Sequence, residues 1–313
     1  MRVLITGGAG FIGSHVADEA LARGNEVAVL DDLSSGRREN VPANAEFYEV
    51  DICSADAVNA AFAKFRPTHV SHQAAQASVA VSVREPQMDA SVNILGSLNV
   101  LTACVANQVK RVVFASTGGA IYGEVPEGSR AAVETVPVPI SPYACSKFAV
   151  EKYLECFRVE HELDYSVLRY ANVYGPRQDP HGEAGVVAIF CNRIIAGDGI
   201  QLNAMRTRGD DGCIRDYVFI ADVVGANVAA MEERIPDPIL NVGTGQETTT
   251  LQLASILQEQ LGNSVEITHS DRRPGDIERS VLDGDRLVEL LGETVSVDRG
   301  LSATADWFRQ RSA

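Results

Sequence analysis

The chain has 313 residues, of which 45% are hydrophobic and 22% charged, so it can bury one large core or two packed domains. Its formal net charge of −15 argues against nucleic acid or an anionic membrane surface as the main partner. The first strand begins almost at residue 1 and no apolar run is expected to match a membrane span, which predicts a cytoplasmic protein without a signal peptide.

Short apolar runs alternate with helical patterns over the first half of the chain. This alternation predicts right-handed βαβ units, and therefore an α/β fold with a doubly wound parallel sheet and helices on both faces. The predicted strands are 3–6, 27–30, 47–50, 69–72, 112–115 and 166–168, and the predicted helices between them are 12–23, 55–65, 88–107 and 143–160.

The pattern changes beyond residue 172. A Rossmann-type sheet domain is expected over 1–171 and about 214–244, and a smaller C-terminal α/β substrate lobe over 172–213 and about 245–313. Open α/β sheets bind ligands at the carboxyl edge of their strands, so we expect a cleft there. The later predictions are loops at 174–185 and 197–216, helices at 186–196, 221–233, 250–261, 285–291 and 299–309, and one further strand of the sheet at 239–242.

A glycine-rich turn joins the first predicted strand to the first helix. Gly7 permits the tight turn, Gly10 lets the backbone approach a pyrophosphate, and Gly13 lets the helix pack on the strand. The helix N-terminus adds N–H groups and a positive dipole for phosphates. Asp31 follows the second strand, where a carboxylate accepts ribose hydroxyls but repels a 2′-phosphate. The pattern predicts NAD rather than NADP; glycine packing beside a solvated acid is the alternative.

Further contacts to the dinucleotide are expected near the ends of other strands. A solvated loop position is the alternative for Asp51, and plain packing is the alternative for the small residues after strand four. Asn93 lies in a long apolar helix, where a buried amide either orders the active-site loops or ties helix to strand. The other expected cofactor residues are Phe11, Ile12, Asp32, Ile52, Ala74, Ala75, Gln76 and Ser116.

Tyr143 and Lys147 lie one helical turn apart and therefore share a helix face. A tyrosine with a pKa near ~10 is a poor base at neutral pH, but a fixed ammonium beside it favours the phenolate. Such a base beside a nicotinamide can take the proton of a carbinol as the hydride leaves. Thr117, after strand five, is expected to orient the substrate hydroxyl; Ser116 is its competitor, and a turn-forming role is the alternative for both.

These motifs resemble the extended short-chain dehydrogenases/reductases, specifically nucleotide-sugar epimerases of the UDP-glucose 4-epimerase type, over nearly the whole chain. The glycine-rich turn, the segment 117–123 and the Tyr143/Lys147 pair are shared across that superfamily. The segments typical of members that modify nucleotide sugars are 169–178, 214–218 and 272–276.

The resemblance implies roles for residues in these later segments. Asn172 would contact the phosphates of a UDP-sugar, and Asp276 the uridine ribose. Arg215 and Arg273 would hold the diphosphate; helix capping or pairing with nearby acids is the alternative for both. Two more implied contacts are Tyr170, to the cofactor, and Val186, to the substrate.

The implied reaction is NAD-dependent 4-epimerisation of a UDP-hexose through a transient 4-keto intermediate, with the cofactor retained. Gly118 and Gly119 replace the acidic residues of related dehydratases, and 179–181 lacks the basic residue usual in glucuronate epimerases. UDP-glucose and UDP-galactose are therefore expected. Two other substrates are alternatives: UDP-glucuronate, and UDP-N-acetylhexosamines because Ser280 is small. A more distant alternative is a different class of protein, either a carbonyl reductase or a non-catalytic NAD-dependent sensor.

The resemblance also implies a homodimer joined through helices 88–107 and 143–160. The segment 203–211 has no assigned role, although Arg206 and Arg208 could reach the nucleotide or a neighbouring subunit. No metal is expected, because the histidines and cysteines lack ligand spacing. Buried, unreactive thiols are expected for the six cysteines, Cys53, Cys104, Cys145, Cys156, Cys191 and Cys213.

Overall fold

The computed structural model describes residues 1–180, 185–273 and 275–312. The strands are β1 (Arg2–Thr6), β2 (Glu26–Asp31), β3 (Glu46–Glu49), β4 (His69–His72), β5 (Arg111–Thr117), β6 (Asp164–Tyr170), β7 (Asn172–Tyr174), β8 (Ile200–Asn203), β9 (Ile214–Arg215), β10 (Tyr217–Phe219), β11 (Ile239–Val242), β12 (Thr248–Thr249), β13 (Ile267–Ser270) and β14 (Arg279–Ser280). The helices are α1 (Phe11–Ala22), α2 (Ala55–Phe65), α3 (Val79–Arg84), α4 (Pro86–Ala90), α5 (Ser97–Ala106), α6 (Gly118–Ile121), α7 (Pro142–His161), α8 (Val186–Ala196), α9 (Ile220–Met231), α10 (Thr250–Leu261), α11 (Asp285–Leu291) and α12 (Val297–Ser312).

A seven-stranded sheet with the order β11-β6-β5-β4-β1-β2-β3 confirms the predicted α/β doubly wound fold. β1 pairs in parallel with both β2 and β4, and the β2–β3 and β4–β5 pairs are parallel as well. The chain order therefore reverses beside β1, and the glycine-rich turn follows that strand. This switch point is where open α/β sheets bind ligands.

The helices on the sheet follow from their apolar spacing. In α2 the buried residues Val58, Ala61, Phe62 and Phe65 recur at helical spacing and face the core. Arg66 then adopts φ 53° and ends the helix with its N–H on the Phe62 carbonyl.

The predicted helix 88–107 is instead three joined pieces. α4 passes into a π-helical turn over Ser91–Gly96, which continues into α5. The whole run, Pro86–Ala106, is long and apolar enough to cross a membrane by length and composition, so the expectation that no such run exists is wrong. Core helices pass the same test, and Val100, Leu101 and Cys104 are buried in the core cluster of the sheet.

The chain forms two compact units. The first comprises Met1–Thr117, Pro139–Arg169 and Val224–Leu240, and the second comprises Gly118–Val138, Tyr170–Val223 and Asn241–Ala313. The core of the first unit packs sheet residues such as Leu4 and Leu30 against helix residues such as Phe62, Leu101 and Leu154.

The second unit has its own core and three small sheets. Its core contains Tyr174, Phe190, Leu253 and Leu301 among other buried residues. Its small sheets pair β7 with β10, β8 with β13, and β9 with both β12 and β14. The expectation of irregular chain over 197–216 is therefore wrong where β8 and β9 lie. Strands of two to four residues are too short to show an apolar period in the sequence.

Candidate active site

The glycine-rich turn after β1 has no room for larger side chains. Gly7 has φ +66°, and a Cβ there would lie 2.6 Å from the Ala74 nitrogen. A Cβ on Gly13 would overlap the carbonyl oxygen of Gly7. The turn thus brings the first turn of α1 close to the strand, with backbone N–H groups available to a pyrophosphate.

Asp31, at the end of β2, is 7% exposed and holds this turn from the side. One carboxylate oxygen accepts the N–H of Ala9 at 2.9 Å, and the other accepts the N–H of Leu33 at 2.9 Å. Burial raises the pKa of Asp31, and these two donors oppose that shift. Each oxygen keeps a second lone pair for a hydroxyl, so the residue fits the ribose of NAD.

A chain of buried hydrogen bonds links the π-helical turn to the ends of β4 and β1. The Ser97 hydroxyl donates its single hydrogen to the Asn93 carbonyl at 2.6 Å. It can therefore only accept from His72, whose Nε2–H donates to it at 2.9 Å. His72 Nδ1 then accepts the Thr6 hydroxyl at 2.6 Å, and Thr6 accepts the N–H of Ala74 at 3.2 Å. Burial, and secondarily the charge of Lys147, lowers the pKa of His72 to about 3. The imidazole is therefore neutral, as this chain of donors requires.

Asn93, in the π-helical turn, orders the loop after β4. Its side chain accepts the N–H of Gln76 and donates to the Gln76 carbonyl, both at 2.9 Å. Its amide also donates to Asp89 at 2.9 Å. The fully buried Asp89 in addition accepts the Gln76 side chain at 2.9 Å and the hydroxyl of Ser146 at 2.7 Å. One carboxylate thus joins the cofactor loop to helix α7.

Tyr143 lies in the first turn of α7. Pro142 occupies the first helical position, and the Ser141 hydroxyl caps the helix by accepting the Ala144 N–H at 3.3 Å. Lys147 is 3% exposed, and its Nζ donates to the Ala115 carbonyl of β5 at 3.0 Å. That Nζ lies 6.0 Å from the centre of the Tyr143 ring. The ammonium is therefore fixed near the phenol.

Ser116 and Thr117 differ in what their side chains contact. The Ser116 hydroxyl donates to Glu151 at 2.5 Å. Glu151 also accepts two hydrogen bonds from Arg169, at 2.6 and 3.1 Å, and all three side chains are buried. Ser116 is thus tied to the scaffold, whereas Thr117 is half-buried at the end of β5. This favours Thr117 over its competitor as the hydroxyl for the substrate.

The remaining predicted cofactor residues lie at the ends of strands or helices. Phe11 and Ile12 begin α1, and Ala74 and Ala75 follow β4, all half-buried. Asp32 and Asp51 are exposed, and their carboxylates accept the backbone N–H groups of Ser34 and Cys53, respectively. Ile52 is buried against Gly96, and Tyr170 is buried at the end of β6.

In the second unit, Asn172 begins β7 beside Asp216. Its backbone and side-chain amides both donate to the Asp216 carbonyl, at 2.9 and 3.2 Å. A Cβ on Gly119 would lie 3.6 Å from the Asn172 amide nitrogen. Val186, the first residue of α8, is half-buried. Residue 181, the last of the segment 179–181 that was compared with glucuronate epimerases, lies outside the described residues.

Arg215 braces the segment that precedes β14. Its guanidinium donates to the carbonyls of Ile214 and Glu278 at 2.9 and 3.2 Å, and to that of Ile277 at 2.6 Å. The neighbouring acid Asp216 is fully buried and accepts hydrogen bonds from Thr244. Among the described residues, Arg215 therefore contacts backbone carbonyls and pairs with no acid.

Arg273 and Asp276, by contrast, pair with each other. The Arg273 Nε lies 3.2 Å from the Asp276 carboxylate, and the two side chains are 65% and 31% exposed. An exposed pair of this kind has a small net stability, so an anion or a ribose can exchange for either partner. The structure thus shows for Arg273 the pairing with a nearby acid that the sequence left open as the alternative.

The chain belongs to the NAD dependent epimerase/dehydratase family, whose family model matches residues 3–243. It is 43% identical to the UDP-glucose 4-epimerase of Mycolicibacterium smegmatis, with 100% of each chain covered. A crystal structure of the Thermus thermophilus UDP-glucose 4-epimerase with NAD is similar at 52% identity and TM-score 0.95, covering 99% of each chain. That of the Thermotoga maritima enzyme with UDP-glucose gives 48% identity and TM-score 0.94 over 100% of each chain.

Several polar residues near the site were not found from the sequence. His72, Asp89, Ser146 and Glu151 stand within apolar or helical patterns that look like ordinary secondary structure. The only sign of their role in the sequence is a polar side chain within a stretch expected to be buried.

The expectation of buried thiols was wrong in part. All six are free thiols, but Cys53, Cys145 and Cys156 are exposed.

Proposed function

We propose that the protein catalyses the NAD-dependent 4-epimerisation of a UDP-hexose, interconverting UDP-glucose and UDP-galactose. The observation that carries this proposal is the Tyr143/Lys147 pair on α7, with the lysine ammonium buried and held by the Ala115 carbonyl. The pair belongs to the same compact unit as the glycine-rich turn and Asp31.

The chain's own residues perform the proton chemistry. Tyr143 takes the proton from the 4-hydroxyl of the sugar, and Thr117 orients that hydroxyl by a hydrogen bond. Lys147 stabilises the phenolate electrostatically. NAD⁺, which the glycine-rich turn and Asp31 would hold, would supply a hydride acceptor for C4 and a hydride donor for the opposite face of the resulting ketone. Tyr143 then gives its proton back to the new alcohol oxygen, so no net redox change occurs.

The second unit supplies the contacts to the nucleotide. Asn172 and Val186 contact the UDP-sugar, Arg215 and Arg273 hold the diphosphate, and Asp276 binds the uridine ribose. Guanidinium groups match phosphate oxygens in shape and charge, which supports the two arginines in a chain of net charge −15.

A cytoplasmic homodimer is part of the proposal. Val79, Val83 and Leu95 are 41%, 63% and 58% exposed on α3 and the π-helical turn, which supports a contact surface there. Val150 and Leu154 of α7 are buried in the core and do not contribute. Sedimentation equilibrium of the purified protein should give twice the chain mass, and a monomer at all concentrations would contradict the dimer.

The test of the activity is incubation of the purified protein with UDP-galactose and no added cofactor, followed by chromatography of the products. UDP-glucose is the expected product. A keto-sugar with stoichiometric NADH would instead indicate a carbonyl reductase, and an unchanged substrate would contradict the proposal. Tyr143→Phe should lower turnover by about 10²- to 10⁴-fold. Tyr48→Phe is the control, since its hydroxyl contacts only the exposed Glu46 at 2.6 Å within the described residues.

The same assay with UDP-N-acetylglucosamine tests the broader substrate range. Ser280 is buried in β14, and its hydroxyl donates to the Gly119 carbonyl at 3.2 Å. A small residue at this position supports acceptance of N-acetylhexosamines. A protein that turns over UDP-glucose but not UDP-N-acetylglucosamine would refute this extension.

A further inference from the structure

The segment between β8 and β9 is built around one carboxylate. Asp210 accepts four backbone hydrogen bonds at 2.8 to 3.0 Å. Partial desolvation alone would raise the pKa of this carboxyl, but the four donors outweigh it and lower the pKa to about 2. The charged carboxylate therefore fixes the segment into one conformation. The donors are the N–H groups of Met205, Arg206, Thr207 and Gly212.

The segment so formed contacts the stretch that carries the proposed nucleotide-binding residues. Arg206 Nε lies 2.7 Å from one oxygen of Glu278, and Arg272 lies 3.2 Å from the other. Glu278 is two residues beyond Asp276. Arg208, in the same segment, has no hydrogen-bond or ion-pair partner among the described residues.

The backbone around Glu278 is held from other directions as well. The Glu124 carboxylate accepts the N–H of Glu278 at 2.7 Å and that of Arg279 at 3.1 Å. Arg215 donates to the carbonyls of Ile277 and Glu278. Two charged side chains, Glu124 and Arg215, thus fix the peptide groups that follow Asp276.

Asn203, at the start of the same segment, contacts Arg273. With its amide oriented to satisfy both neighbours, its oxygen accepts Arg273 Nε at 3.0 Å and a second guanidinium nitrogen at 3.2 Å, while its nitrogen donates to Ser270 at 2.7 Å. Arg273 therefore lies between Asn203 and Asp276.

We propose that Asn203, Arg206 and Asp210 are positioning residues for the nucleotide diphosphate. Asp210 shapes the segment, Arg206 holds Glu278, and Asn203 holds the guanidinium of Arg273. The ligand class is a nucleoside diphosphate, and the inference rests on the proposed function. Fixing these groups in advance lowers the ordering cost of binding, so their loss weakens binding without removing a ligand contact.

The test is calorimetric titration of the full-length protein with UDP. Arg206→Ala should raise the dissociation constant about 3- to 5-fold, as for one exposed ion pair, and Asp210→Ala about 10-fold or more. Arg208→Ala is the matched control, because it removes the same charge from the same segment without touching Glu278, and it should change the constant less than about 2-fold. Equal effects of the two arginine variants, or none, would overturn the inference.

Glu278→Gln separates positioning from direct contact. If Arg206 acts by holding Glu278, this variant weakens UDP binding as Arg206→Ala does. If Arg206 reaches the phosphates itself, freeing it from Glu278 tightens binding, which would overturn the inference. In turnover assays the positioning variants should raise KM for the UDP-sugar with kcat and bound NAD unchanged. Equal loss of NAD would indicate a merely structural role and also overturn it.

Failure of the inference and failure of the proposed function give different results. Wild-type protein that does not bind UDP overturns both, because the inference depends on that function. Wild-type protein that binds UDP and epimerises UDP-galactose, with normal UDP binding by the Arg206 and Asp210 variants, overturns the inference alone.

Discussion

Replacing Glu151 by glutamine is expected to destabilise the protein strongly, although it changes only one atom. Glu151 and Arg169 have side chains that are 1% and 4% exposed, and Arg169 donates to both carboxylate oxygens. The glutamine amide would remove the negative charge that faces the buried guanidinium from Glu151. Breaking a buried pair from one side costs about 3–5 kcal/mol. The Ser116 hydroxyl, 2.5 Å from the same carboxylate, adds a further loss because a neutral acceptor binds it less strongly.

The measurement is urea-induced unfolding at pH 7, followed by far-ultraviolet circular dichroism. Glu155→Gln is the control on the same helix, since Glu155 pairs with Lys152 at 3.6 Å and both side chains are more than half exposed. It should change the free energy of unfolding by less than about 0.5 kcal/mol. The double variant Glu151→Leu/Arg169→Met should recover much of the loss, because it removes both charges of the buried pair.

A loss below about 1 kcal/mol for Glu151→Gln would refute this reasoning, because it would mean that water or another anion compensates Arg169. A double variant as unstable as the two single variants combined would refute it too, since the cost would then come from lost packing and not from an unpaired charge.

Three further outcomes follow from the same contacts. Lys147→Met should lower kcat about 10²-fold or more and raise the pH of half-maximal activity, because no ammonium then favours the Tyr143 phenolate. A pH–rate profile identical to that of the wild type would contradict this. Asp31→Ala should weaken NAD binding about 10- to 100-fold, measured as NAD retained after dialysis, since hydrogen bonds to a charged group contribute about 1.5–3 kcal/mol. His72, with its pKa lowered from 6.5 to about 3, contributes stability that is present above pH 6.5 and lost as pH falls. His72→Asn should therefore flatten the fall of the free energy of unfolding below pH 6.5 by about 1.4 kcal/mol per pH unit, and an unchanged slope in urea titrations would contradict this.

The sheet and most helices could be predicted because their patterns are local. β4, α2, α8, α10 and α11 have the bounds that apolar periodicity and capping residues indicate. The short strands β7, β9, β12 and β14 could not, because two or three residues show no period and their pairing depends on partners up to dozens of positions away.

The residues of the candidate site also fall into those that the sequence predicts and those that it does not. Gly7, Gly13, Asp31, Tyr143 and Lys147 belong to local motifs whose chemistry depends on spacing alone. Asp89 and Glu151, by contrast, are paired with residues 57 and 18 positions away. Such pairings are set by tertiary packing, so a single sequence gives no sign of them beyond a charged residue in a helix.

The buried polar contacts of α7 all lie on the face that carries the proposed base. Tyr143, Lys147 and Glu151 recur every four residues, and Ser146 lies beside them on the same helix. Each of the last three reaches a different partner, on β5, on β6 or on α4. An apolar face could slide or rotate slightly at little cost, whereas a half-satisfied polar network is penalised heavily. Proton transfer loses rate when donor and acceptor shift by about 1 Å. We therefore interpret these contacts as fixing the position of the helix, and the stability they provide as secondary.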